Sequence, residues 1–459
     1  VRKPVIIFVL IMLYLVFLGP FYDWGIVVEA LIMLLMTQII WISQIFGLMV
    51  ASLLILFLLA TNFFTFQEAT GFLGTDIVWL LFSTFIIAGA FMKTGLSLRI
   101  SLFILKLSRG FGPLLMLVSF FMMSVLAFFI PANAGRMNLV ITIITGMLDY
   151  LKKLYPIKNF GKGLMIGMNY VVPMSGALII TGTNTSIYAY GIFSNEGSLE
   201  WNYISWMVYF IPPILIYLVM LWLVLLWVYP LPKVDRFEVM GFIRSKIAER
   251  GKLTMPEIRL AGISATILLM WMLDPFHPFS IPMVGLLGAL LTVLPYIGVW
   301  NWQEARDAVN WDMLVFFAVS LAVAGMLIDS GALEVVAQGV VLIQEVIQWE
   351  WLLLLIVGLI GIIFRLLFLN VLGYMTIMLP FALMIGTQLE TVPAIIVAMV
   401  IFLVGGPGFF LITQTPINML SYQYGYFTKQ DLLKTGTIVS LIWLVIIVIT
   451  SQVYWMLFV

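Results

Sequence analysis

The 459-residue sequence contains no cysteine and a single histidine. Without cysteine there can be no disulfide, iron–sulfur cluster or thiolate metal site. The one histidine, His277, lies in the loop-like stretch Pro275-Phe-His-Pro278, so no histidine cluster is available to hold a metal. Charge is equally scarce. Only 9% of the residues are Asp, Glu, Lys or Arg, and the net charge is +1. So little charge cannot clothe a soluble domain, and the near-neutral balance gives no nucleic-acid footprint. No phosphate-binding loop, metal motif or nucleophile arrangement is present either.

What is present is apolar: 63% of the residues are hydrophobic, with a mean hydropathy of +1.17. This composition predicts an all-α polytopic membrane protein. Apolar runs predict helices over 4–19, 25–43, 46–64 and 77–95, followed by a basic amphipathic segment at about 96–109 that reads as an interfacial anchor. The start is read as a first transmembrane helix rather than a cleavable signal. An interrupted apolar stretch spans 111–150. A helix over 160–193 is broken at Thr181–Thr185, and 203–229 closes the first half. A charged linker, 230–259, reads as a solvated connection. The second half gives 260–274, 281–299 and 311–331, an acidic amphipathic segment at about 332–349, an interrupted stretch over 351–389, a broken helix over 392–425 and a last helix over 436–458.

A motif occurs once near the end of each half. Thr181-Gly-Thr-Asn184-Thr-Ser-Ile-Tyr188-Ala-Tyr190-Gly191-Ile-Phe193 and Thr415-Pro-Ile-Asn418-Met-Leu-Ser-Tyr422-Gln-Tyr424-Gly425-Tyr-Phe427 both read T-x2-N-x3-Y-x-Y-G-x-F, 234 residues apart. Six matched positions at one spacing point to an internal duplication. A second echo, Ala88-Gly-Ala-Phe-Met-Lys-Thr-Gly against Ala324-Gly-Met-Leu-Ile-Asp-Ser-Gly, has nearly the same offset. Each motif copy breaks an apolar run beside Thr and Asn. At membrane depth such a break persists only where it is buried in protein or lines a cavity. Paired broken helices in two repeats are the usual mark of a transporter's binding site.

Charge tests the topology. With the amino terminus inside and 111–150 and 351–389 folded as re-entrant hairpins, every Lys and Arg except Arg136 and Arg365 falls on the cytoplasmic side. The outer loops then carry Asp23, Glu68, Asp76, Glu196, Glu200 and Glu390. The two halves have opposite orientation, and the carboxyl terminus lies outside. The expected organisation is a first unit over 1–229, a cytoplasmic linker over 230–259 and a second, inverted unit over 260–459.

Arg136 and Arg365 remain at membrane depth, beside the interruptions Pro131-Ala-Asn133-Ala-Gly135-Arg136 and Arg365-Leu-Leu-Phe-Leu-Asn370-Val-Leu-Gly373. An unpaired arginine there costs about 2.5–3.5 kcal/mol on insertion scales. Either arginine can bind an anionic substrate, or cap the carbonyl end of a half-helix, or pair with Asp312 or Asp329. Substrate contact is the preferred reading for Arg136, and neither reading is preferred for Arg365. The broken helices add neutral oxygens and amides at Thr181, Thr183, Asn184, Thr185, Thr413, Gln414, Thr415 and Asn418. These can replace a hydration shell, or merely satisfy freed backbone groups.

The sequence resembles the divalent anion/sodium symporter (DASS) family of the ion transporter superfamily over nearly its whole length. The resemblance rests on Thr415 to Gly436, on Gly182-Thr-Asn-Thr185 and on Asn310-Trp-Asp-Met-Leu314. It implies a homodimer in the cell membrane, with eleven spanning helices and two re-entrant hairpins per chain. It also implies elevator movement of the hairpins and broken helices against a scaffold. The residues and the resemblance together give candidate substrate contacts at Asn133, Gly135, Arg136, Thr183, Asn184, Thr185, Arg365, Asn370, Thr415, Pro416 and Asn418. Coupling-cation contacts would fall at Asn133, Gly182, Thr183, Asn370, Thr413 and Gln414, with Na+ or H+ as the ion and no other cofactor or metal. Sodium-coupled members carry Ser-Asn-Thr at both hairpin tips, and neither copy is intact here. A fixed Arg136 would then supply positive charge that bound sodium supplies elsewhere, which suits an exchanger or a proton-linked carrier.

The expected function is secondary transport of a di- or tricarboxylate or a sulfate-like anion. Two alternatives stand beside it. One is a cation/proton antiporter or arsenite-type exporter of the same superfamily, which needs a titrating carboxylate. The other is a membrane enzyme acting on a lipid-linked substrate, which needs polar catalytic residues gathered at one interface.

Overall fold

The computed structural model describes residues 2–19, 23–335, 349–389 and 392–458. Every regular element among them is helical. In the first half these are α1 (Arg2–Leu13), α2 (Ile26–Ser43), α3 (Leu48–Asn62), the short α4 (Phe66–Gly71), α5 (Asp76–Thr94), α6 (Leu96–Lys106), α7 (Gly112–Ala127), α8 (Asn133–Lys152), α9 (Lys158–Ala177), α10 (Asn184–Glu196) and α11 (Tyr203–Val228). A connecting helix, α12 (Arg236–Arg250), follows. Then come α13 (Met255–Met272), α14 (Ile281–Val293), the short α15 (Trp302–Ala308), α16 (Trp311–Asp329), α17 (Glu350–Phe364), α18 (Val371–Gln388), α19 (Ala394–Gly405), α20 (Pro416–Tyr422) and α21 (Lys429–Val453). Eight described helices are long and apolar enough to cross a membrane: α2, α5, α11, α13, α16, α18, α21 and the helix formed by α17 with its terminal 3₁₀ turn.

Among the described residues, the order of elements in α2–α5 and α7–α11 returns in α13–α16 and α17–α21. The short helices α4 and α15 hold matching places, and both begin with a capping box. Thr65 pairs with Glu68 in one and Asn301 with Glu304 in the other, each side chain satisfying the other's free backbone N–H. Neither short helix was expected from the apolar pattern. Each half also reaches into the other: α3 packs on α16, and α14 packs on α5. Glycines set this fit. A Cβ at Gly89 in α5 would stand 2.5 Å from the Trp300 ring, and one at Gly325 in α16 would stand 3.0 Å from the Phe72 ring. The Ala-Gly echo in the sequence therefore marks two sockets, each receiving an aromatic ring that follows α14 or α4.

The stretch 230–259 is not merely a solvated connection. Helix α12 buries Val239 and Ile243 and packs on α6 and α8, and Glu238 accepts a hydrogen bond from Tyr150. Arg99 joins the junction by bonding Glu257 Oε1 at 3.0 Å. Nearby, the Lys93 ammonium bonds Glu304 and holds its carboxyl below the usual range. Most of the acidic amphipathic segment expected at 332–349 lies outside the described residues.

Candidate functional site

Both expected interruptions of the apolar stretches 111–150 and 351–389 occur, between α7 and α8 and between α17 and α18. Both broken helices occur as well, with α9 and α10 separated by the 3₁₀ turn Ile180–Gly182, and α19 and α20 by Ile412–Gln414. The second half of each broken helix starts on a threonine cap. Thr183 Oγ1 accepts from Ser186 N at 3.0 Å, and Thr415 Oγ1 accepts from Asn418 N at 3.1 Å. The residue that donates to the cap then reaches back ten positions with its side chain. Ser186 Oγ donates to the Gly176 carbonyl at 3.1 Å, and Asn418 Nδ2 donates to the Gly408 carbonyl at 2.7 Å.

These contacts fix the register of the duplication. Gly176 to Gly408, Thr183 to Thr415 and Ser186 to Asn418 are each 232 residues apart. The 234-residue register of the sequence motif is therefore two residues out at the break, and Asn184 and Asn418 do different work. Asn184 is half-buried; its Oδ1 accepts from Thr185 N at 3.0 Å and its Nδ2 donates to Met313 Sδ at 3.4 Å. Asn418 is fully buried, ties the Gly408 and Leu411 carbonyls together, and leaves its Oδ1 without a partner. The correct register was legible as Gly-x3-Ile-Thr-x-Thr, read from Gly176 and again from Gly408.

The two deep arginines differ more sharply. Arg365 lies at the end of α17 and spends all three guanidinium nitrogens on carbonyls. Nε meets Gly405 at 2.9 Å, Nη1 meets Phe368 at 2.5 Å and Nη2 meets Gln414 at 3.1 Å. It bridges the end of α19, its own hairpin tip and the 3₁₀ turn, so carbonyl capping is what the geometry of Arg365 provides. Arg136 lies in the first turn of α8. Its Nη2 bonds Asn133 Oδ1 at 2.6 Å and the Val172 carbonyl at 2.9 Å, while Nε and Nη1 have no partner although the side chain is fully buried. Neither arginine pairs with Asp312, Asp329 or any other carboxylate among the described residues. Gly176 leaves the room that Arg136 occupies: a Cβ there would sit 2.8 Å from Nη2 and 2.0 Å from the Thr183 methyl.

Cavities lie at both hairpin tips. At the second tip a cleft of about 530 Å³ is bounded by Asn370, Gly373 and Pro416, with Gln38 and Trp41 of α2 and Met313 of α16 opposite. At the first tip the matching space, between Pro131, Thr181, α5 and α13, is only about 20 Å³. The structure thus brings Asn370 and Pro416 to the open cleft, with Asn184 one contact away through Met313. Thr413 is exposed near it in the chain, while Gln414 is buried and accepts from Phe410 N and Leu411 N at 3.0 and 3.3 Å. Asn133, Gly135, Arg136, Gly182, Thr183 and Thr185 gather at or beside the closed break, and Arg136 lines neither cavity. Sequence reasoning missed Gln38, whose signal was an amide inside an apolar run. It also missed Asn169 of α9, which is buried with both side-chain polar atoms unpartnered.

A chain of membrane-length helices, with two interrupted helix pairs and two broken helices, belongs to the class of polytopic membrane transporters. The family follows directly: the model described as the sodium:sulfate symporter transmembrane region matches residues 4–459, and the chain belongs to that family. A citrate/succinate antiporter of Escherichia coli (strain K12) is 24% identical over 82% of this chain and 77% of its own length. An uncharacterized transporter of Haemophilus influenzae is 23% identical over 93% of this chain and 92% of its own length. The chloroplastic dicarboxylate transporter 2.1 of Arabidopsis thaliana is 23% identical over 64% of this chain and 53% of its own length. Family and relatives are transporters, which sets the lipid-linked enzyme aside.

Proposed function

We propose that the chain is a secondary active transporter of a small di- or tricarboxylate or sulfate-like anion, with Arg136 as its principal charge contact. The observation that carries this reading is the buried guanidinium with two unbonded nitrogens. Burying such a group without partners is costly, and Arg365 demonstrates how fully this fold can satisfy one. An incoming carboxylate or sulfate would complete the Arg136 fork with two charge-assisted hydrogen bonds. The names of the relatives, citrate/succinate and dicarboxylate among them, support a carboxylate substrate.

Alternating access between two inverted repeats is part of the proposal. The matching element order, the reciprocal packing of α3 on α16 and α14 on α5, and the shared capping geometry at the breaks support it. So does the contrast between an open cleft at one hairpin tip and a closed one at the other. With the amino terminus in the cytoplasm, the open cleft borders the α2–α3 turn at Gln44 and faces inward. We read the movement as an elevator within a homodimer. A cation/proton antiporter is less well supported, because the one buried carboxylate among the described residues, Glu257, is held by Arg99 and Arg250. The family description includes sodium, and Na+ or H+ remains the proposed coupling ion, held by the half-helix ends, Asn133 and Asn370.

The test is thermal unfolding of purified protein against citrate, succinate, malate, sulfate and phosphate, with and without sodium. A saturable upward shift by one of these anions is expected, and it should disappear in Arg136→Gln. No shift by any of them in either salt would refute the assignment.

A further inference from the structure

We propose that the basin between α6 and α12 is a binding site for the phosphodiester of an anionic phospholipid. None of its lining residues lines the cavities at the two breaks. Lys106 and Arg109, from α6 and the turn after it, meet Arg236 and Arg244 of α12 around one cavity of about 780 Å³. That is the size range of small-molecule sites. No carboxylate lines the cavity, and none of the four cations forms an ion pair among the described residues. The basic face is sorted from the rest of its helix: Lys246, on another side of α12, is paired with Glu249 at 2.8 Å.

The convergence is built into the backbone. Arg109 holds a left-handed conformation, φ 49°, and Gly110 follows at φ 74°. Only glycine fits there, because a Cβ would stand 2.2 Å from the Arg236 carbonyl. The close approach brings the start of α12 onto the turn, and the Arg236 guanidinium stacks over the Phe111 ring at 4.8 Å.

Apolar groups rim the cavity and select a lipid over a free anion. Phe237 is 86% exposed and Phe103 64% exposed, both beside the cations. Water is a poor medium for such rings, whereas the boundary between headgroups and acyl chains suits them. Arginine forks match phosphate oxygens, and basic pockets at a membrane surface take anionic headgroups. The inference rests on the proposed topology, which puts α6 and α12 at the cytoplasmic interface.

The full chain in detergent is titrated with dioctanoyl phosphatidylglycerol, dioctanoyl phosphatidylcholine, inorganic phosphate and citrate, and thermal unfolding is read. Phosphatidylglycerol should give a saturable rise in unfolding temperature that phosphatidylcholine and phosphate do not. Arg236→Gln/Arg244→Gln should weaken that binding roughly 25-fold, at roughly fivefold per charge lost near an anionic surface. Lys106→Gln/Arg109→Gln should do the same, and it decides the matter if the first pair fails to fold. Equal shifts from phosphatidylcholine, reproduction of the effect by phosphate alone, or unchanged phosphatidylglycerol binding in a folded double variant would overturn the site. Sidedness plays no part in detergent, so a wrong topology cannot mimic this failure. Citrate reports separately: loss of its effect in every form, with phosphatidylglycerol binding intact, would refute the carboxylate reading and leave the lipid site standing.

Discussion

Arg136 and Arg365 each donate to a carbonyl at or near the end of the first half of a broken helix, Val172 for one and Gly405 for the other, from opposite arms of their hairpins. Arg365 approaches from the first arm and reaches two further carbonyls. Arg136 approaches from the second arm and leaves two nitrogens free. One fold therefore holds a saturated guanidinium and an unsaturated one in related positions. In the proposed function, this asymmetry gives Arg365 a structural role and Arg136 a ligand.

The proposed inverted arrangement has a direct test. Cysteine introduced at Ser198 is expected to react with an impermeant thiol reagent from outside, and cysteine at Ser245 only from inside. The chain has no native cysteine to confuse the result, and α11 must separate the two positions. Labelling of both from one face would exclude the proposed topology.

Much of this architecture was legible in the sequence because the bilayer limits what a chain can do there. Apolar length located α2, α3, α5 and α11 to within about two residues, and the interruptions fell beside Pro131 and Asn370 as expected. Polar residues inside apolar runs cannot be accidental at membrane depth, so Arg136, Arg365 and the Thr-rich breaks identified themselves. What the sequence hid were relations between distant segments. Two of the three carbonyls that satisfy Arg365 come from residues 405 and 414, and nothing local distinguishes them. Tyr188 is fully buried, with its ring 5.7 Å from that of Phe317 on a helix more than a hundred residues away. Helix α12 escaped notice because its apolar face is narrow, with only Val239 and Ile243 fully buried.

The register of the duplication predicts an order of effects. Asn418→Ala would leave the buried Gly408 and Leu411 carbonyls without the amide that joins them. A loss of about 1–3 kcal/mol in unfolding free energy is expected. Ser186→Ala removes the matching bond to the Gly176 carbonyl and a contact to Thr183 Oγ1, and should cost about 1 kcal/mol. Asn184→Ala removes a local bond and a weak contact to sulfur, so its effect should fall on anion affinity rather than on stability. Denaturation and binding curves on the three variants check the order. Equal stability losses for Asn184→Ala and Asn418→Ala would restore the 234-residue register.

Coupling follows from the hairpin tips. Asn133 and Asn370 survive there, but the serine and threonine hydroxyls of intact Ser-Asn-Thr tips do not. Asn133 Oδ1 is moreover engaged by Arg136, whose charge opposes a nearby cation. Transport in proteoliposomes should therefore depend on sodium less steeply than in family members with intact tips. A saturable, absolute sodium requirement would contradict this.

Arg136 is the decisive position. If its free nitrogens meet the substrate, replacing it removes one partner of a desolvated charge pair, a loss of about 2–5 kcal/mol or roughly 30-fold and more in affinity. Arg136→Gln should abolish measurable anion binding while changing stability little, because the glutamine amide can still donate to Val172 or Asn133. Arg136→Lys should restore binding only in part, since an ammonium lacks the planar fork. Arg365→Gln gives the opposite pattern. One glutamine amide cannot replace three guanidinium nitrogens, so the substitution strands at least one carbonyl and loses charged hydrogen bonds worth about 1.5–3 kcal/mol each; unfolding temperature should fall well before affinity does. Isothermal titration and thermal unfolding on the same preparations separate the two outcomes. Unchanged affinity with lowered stability in Arg136→Gln would make both arginines caps, and the anion would then have to be held by Asn184, Asn370 and the amino-terminal ends of α10 and α20.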